Sequence, residues 1–107
     1  MPELNSLYAM QRANGDWYAL DDHGGFRVPV FRSNREAMVA RSRDSGMECF
    51  RPVIIDSRAF HDLTTTDGGK ASFWFVENPA LNLNRGRRLD HAQLAALIRD
   101  REEQPRG

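Results

Sequence analysis

A chain of 107 residues is long enough to bury a real core and too short for two domains, so a single domain over residues 1–103 is expected, with 104–107 as a frayed tail. A hydrophobic fraction of 40% with 28% charged residues excludes an intrinsically disordered chain, and 15 basic against 15 acidic side chains argue against a surface that attracts nucleic acid as a whole. No run reaches the roughly 20 apolar residues of a membrane helix. The opening "MPELNSLYAMQR" has no basic segment followed by an apolar one, and Cys49 is the only cysteine, so the expectation is a soluble, cytoplasmic protein without a disulfide and without a membrane partner. Lys70 is the only lysine among the basic residues. That bias follows from a GC-rich genome as readily as from a need for bidentate arginine contacts.

In chain order, "SLYAMQR" and "DWYALDD" flank "ANG", and an Asn-Gly pair between apolar runs predicts a hairpin. After the turn "DDHGG", the stretch "FRVPVF" predicts a strand with Phe26, Val28 and Val30 on one face and Arg27, Pro29 and Phe31 on the other. Pro29 cannot donate to a ladder, so this strand is expected at an edge, or paired on one side only at that point. "SNRE" is a capping box that opens a helix through Ala37 to Ala40, with Gly46 expected as its left-handed stop. "MECFRPVII" predicts a strand that buries Cys49 as an inert thiol.

Asp56 is the next cap, for about two turns of helix with Phe60 and Leu63 facing the core. "TTTDGGK" predicts a loop, and "ASFWFVEN" is the most apolar strand, ended by Pro79. The loop is no phosphate-binding motif, because Thr64 stands where the first glycine belongs and Ala71 where the hydroxyl residue belongs. "LNLNRGRRLDHAQL" predicts a loop leading into a helix that Asp90 and Gln93 cap together, with Leu94, Leu97 and Ile98 as its buried stripe. The order β-β-β-α-β-α-β-α implies an α+β domain. About five strands in a mostly antiparallel sheet would be covered on one face by two to three helices.

The segments "WYALDDHG", "VPVFRSNREA" and "FRPVIIDSRAF", in that order, resemble a family of small bacterial proteins classed as a domain of unknown function. The matching positions are Trp17, Leu20, Asp22, Gly24, Pro29, Phe31, Ser33, Ala37, Pro52, Ile55, Asp56 and Phe60, about the middle half of the chain. The resemblance implies the same α+β architecture and a bacterial cytoplasmic setting. It carries no activity and no catalytic residue, since fold alone does not give function.

Arg85, Arg87 and Arg88 stand just ahead of a helix start, where free amides and the dipole favour a phosphate or carboxylate. Against an anion site, Asp90 already serves as the N-cap, and Glu77 and Asp90 offer the arginines surface ion pairs, so a solvated loop is the preferred reading. Asp21, Asp22 and His23 share a tight turn on which neighbouring side chains diverge, so no metal site is expected. His61 and His91 each adjoin an aspartate without forming a nucleophile constellation. No catalytic residue and no cofactor are therefore expected.

The remaining signal is aromatic. Trp17, Tyr18, Phe73, Trp74 and Phe75 lie on predicted strands, and a sheet covered on one side would leave part of this set for a protein partner or a homodimer seam. The expected function is a non-enzymatic protein-interaction or self-associating module. The alternative is an anion- or nucleic-acid-binding module built on the arginines.

Overall fold

The computed structural model describes residues 7–22, 25–78 and 85–102. Its elements run β1 (Tyr8–Arg12), β2 (Leu20–Asp22), β3 (Gly25–Val30), α1 (Asn34–Arg43), β4 (Phe50–Ile54), α2 (Ser57–Thr65), β5 (Ser72–Val76), β6 (Gly86–Leu89) and α3 (His91–Glu102). Short 3-10 turns occupy Ser45–Met47 and Thr66–Gly69. The fold is α+β, with three helices and six strands among the described residues, one more strand than the sequence suggests.

The helix starts follow their local signals. The Ser33 hydroxyl accepts from the Glu36 amide at 3.1 Å, and the Asp56 carboxylate accepts from the Ala59 amide at 2.9 Å. At α3 the capping box is complete: the Asp90 carboxylate accepts from the Gln93 amide at 2.7 Å, and the Gln93 side chain accepts from the Asp90 amide at 2.9 Å. Glu36 instead turns to Arg32, 3.3 Å away.

The "ANG" turn also forms as its residues dictate. Gly15 takes a φ of 97°, Gly15 N–H donates to the Arg12 carbonyl at 2.9 Å, and Arg12 N–H donates to the Asp16 carbonyl at 3.0 Å. This is a three-residue hairpin loop with glycine at its left-handed position. The returning arm is short, with a single bridge from Trp17 to Gln11 and a bond from Tyr18 N–H to the Met10 carbonyl at 2.8 Å. Beyond it the chain leaves β1, and β2 pairs with β3 instead.

Two sheets result, β1-β4 and β2-β3-β5-β6. Three of the strand pairs are antiparallel, while β3 and β5 run parallel. The sheets meet where Tyr8 and Phe31 exchange backbone bonds of 2.9 and 2.8 Å. Pro29 fits between the two neighbours on that edge of β3. The β2 ladder stops at Arg27 and β1 joins only at Phe31, so Pro29 faces a ladder partner, Trp74, on the β5 side alone.

Strand alternation feeds two cores. Leu7, Ala9, Val28, Val30, Phe73 and Leu89 pack with Ala59 and Leu63 of α2 and with Leu94 and Ile98 of α3. Met10, Phe31 and Val76 pack with Ala37 and Ala40 of α1 and with Met47. Helices therefore lie on both faces, where the sequence suggested one.

Four local expectations are corrected. Gly46 lies within the Ser45–Met47 turn and is not left-handed, because α1 ends at Asp44, whose own side chain accepts from the Gly46 amide at 2.9 Å. Cys49 precedes β4 and is exposed. Leu97 is 41% exposed, so the buried stripe of α3 narrows to Leu94 and Ile98. Residues 86–89, expected as loop, form β6 against β5. The expectations for Pro79, for the turn at His23 and Gly24, and for the tail 104–107 lie outside the described residues.

Candidate functional site

From their meeting at Tyr8 and Phe31, β1 and β3 diverge, and the returning arm of the hairpin passes through the fork. A hollow of about 550 Å3 opens there, walled by Trp17, Tyr18, Phe26 and Phe50, with Val28 behind and Arg12 and Asp16 at the rim. Phe26 is 46% exposed although it shares a strand face with the fully buried Val28 and Val30. Tyr18 meets Phe50 edge-on, with ring centres 5.2 Å apart and planes at 82°. Arg12 lies over the Phe50 ring at 5.5 Å.

The polar atoms of the aromatic walls are tied into the fold. The Trp17 indole N–H donates to Asp62 of α2 at 2.7 Å, and the Tyr18 hydroxyl donates to Asp44 at 3.0 Å. Asp44 also closes α1, its own N–H donating to the Ala40 carbonyl at 3.0 Å. The hairpin is thus fastened to α2 on one side and to the end of α1 on the other. Both rings are thereby held in place by the fold itself.

Burial, and then the bond and charge of Asp44, push the Tyr18 hydroxyl from 10.0 up to about 12. Because the folded state holds this proton more tightly than the unfolded chain, the contribution is intact below pH 10 and is lost as pH rises through 12. Unfolding titrations across that window should show wild type losing stability relative to Tyr18→Phe. Parallel curves for the two proteins would contradict the assignment.

The five aromatics named from the sequence do not share one face. Trp17 and Tyr18 line the hollow, whereas Phe73 is fully buried, with its ring 5.2 Å from that of His91. Trp74 and Phe75 point to opposite sides of β5. Arg27 lies 4.5 Å over the Trp74 ring, and Arg32 and Arg87 lie 5.5 and 5.4 Å from the Phe75 ring. Phe26, Phe50 and Arg12 join Trp17 and Tyr18 at the hollow, without a signal in the sequence. Nothing in the local pattern separates Phe26 from Val28, and it is the distant pairing of β1 with β4 that sets Phe50 beside Arg12.

The arginines are divided by the same alternation. Arg87 stands opposite Phe75 and Arg88 opposite Trp74, so the two side chains leave β6 on opposite faces. The Arg85 carbonyl accepts from the Glu77 amide at 3.1 Å, just ahead of β6. At the start of α3 the Gln93 amide, one of those an anion would use, already donates to the Asp90 carboxylate. Among the described residues, no group of three or more His, Cys, Asp or Glu side chains is placed to hold a metal, and no helix is long and apolar enough to cross a membrane.

No family model and no curated protein sequence matches the chain.

Proposed function

We propose that the chain is a non-enzymatic protein-interaction module whose docking site is the hollow between Trp17, Tyr18, Phe26 and Phe50. The observation that carries this reading is a pre-set aromatic cleft with a half-exposed phenylalanine on its wall. Its volume suits one or two side chains of a partner segment. A broad self-association seam has less support, because the exposed large apolar residues Phe26, Met38 and Leu97 lie on β3, α1 and α3 respectively.

The test is selection from a random-peptide phage library by the wild-type protein and by Phe26→Ser. The expected result is a consensus with an aromatic or aliphatic anchor that binds wild type and is lost with Phe26→Ser. Failure to enrich any consensus, or equal capture by both proteins, would overturn the proposal.

A further inference from the structure

The hollow is apolar in its walls, so its specificity depends on which polar groups it still offers. Three are spent inside the protein. Trp17 N–H goes to Asp62, Tyr18 O–H goes to Asp44, and the Thr66 hydroxyl donates to the Asp62 carbonyl at 2.9 Å. The carboxylate at the rim is also engaged, since Asp16 Oδ2 accepts from the Asn14 amide side chain at 3.1 Å.

Arg12 is different. Its guanidinium carries five N–H donors in a planar fork. Its carboxylate contact is Asp16 at 3.6 Å, longer than a hydrogen bond, and both side chains are well exposed, at 45% and 66%. The Phe50 ring beneath holds the guanidinium at the edge of the hollow without using its donors. A purely apolar ligand would leave these donors to water. A carboxylate beside the apolar group would satisfy them with paired, charge-assisted bonds. Asp16 is then a loose internal partner that a better-placed carboxylate displaces.

We infer that the segment docking in the hollow presents an apolar anchor with an aspartate or glutamate beside it, the anchor filling the space between Phe26 and Phe50 and the carboxylate pairing with Arg12. This rests on the hollow being the docking site, and it names the chemistry of the partner: an acidic, apolar-anchored peptide.

The test is a double-mutant cycle. A peptide selected by wild type and its acid-to-amide analogue are titrated against wild type and Arg12→Gln, a surface change that leaves the core intact. The peptide change alone and the protein change alone should each weaken binding about tenfold, and both together by no more than about tenfold. Additive losses would overturn the pairing. So would a selected consensus with an apolar anchor and no acid, which leaves the docking site itself standing. Absence of any consensus would instead overturn the docking site. Phenylpropionate binding as tightly as the peptide would show a small aromatic acid to be the ligand, and would overturn the assignment to a protein segment.

Discussion

Replacing Phe31 with alanine is expected to cost about 4 kcal/mol, a large share of the roughly 5–15 kcal/mol that holds a domain of this size together. The Phe31 side chain is fully buried in the core beneath α1, and its backbone bridges the β1-β4 and β2-β3-β5-β6 sheets through Tyr8. Removing the ring leaves a cavity at the point where the two sheets are joined and cannot easily collapse. In urea the midpoint should fall steeply. Phe26→Ser, on the same strand but 46% exposed, should stay within about 1 kcal/mol of wild type. Equal losses at the two positions would refute the assignment of Phe31 to the joint and Phe26 to the hollow.

Gly86→Ala is expected to cost about 3 kcal/mol and to loosen β6 from β5. A Cβ at this position would overlap the carbonyl oxygen of Phe75 and come within 2.9 Å of the Trp74 indole nitrogen. The carbonyl belongs to the backbone of β5, so it cannot swing aside as a flexible side chain would. Hydrogen exchange at the Glu77 amide, which donates to Arg85 across the ladder, should accelerate together with the fall in stability. A variant within about 0.5 kcal/mol of wild type, with that amide still protected, would show that β6 tolerates a side chain there.

What was legible in the sequence was local. The caps at Ser33, Asp56 and Asp90 and the Asn-Gly turn are decided by residues three or four apart, and their expected bonds form, except that at Ser33 only the hydroxyl half of the capping box does, with Glu36 turned to Arg32. What was not legible depends on distant partners. β6 is "GRRL", with Leu89 as its only buried side chain, so nothing in its own residues announces a strand, and it becomes one because β5 supplies the ladder. Cys49 sits among apolar neighbours in sequence, yet the turn after α1 carries it outward. The same holds for the site. Trp17 and Tyr18 could be named from their run, whereas their companions arrive from β1, β3 and β4 through pairings that no short window contains.

The loop expected at the arginines changes for the same reason. A loop could have gathered Arg85, Arg87 and Arg88 around one anion, but a strand sends Arg87 and Arg88 to opposite faces. The arginine that matters to the proposed site is Arg12, because it stands over Phe50 at the mouth of the hollow.

The most direct test of the docking site follows the tryptophan in its wall. The chain has two tryptophans, so in a Trp74→Phe background the emission reports Trp17 alone. Titration with a selected peptide should shift that emission to saturation, and the same titration of the Phe26→Ser variant in that background should leave it unmoved. A peptide that binds with equal affinity in both proteins, or binds without any change at Trp17, would place the docking site elsewhere and contradict the account.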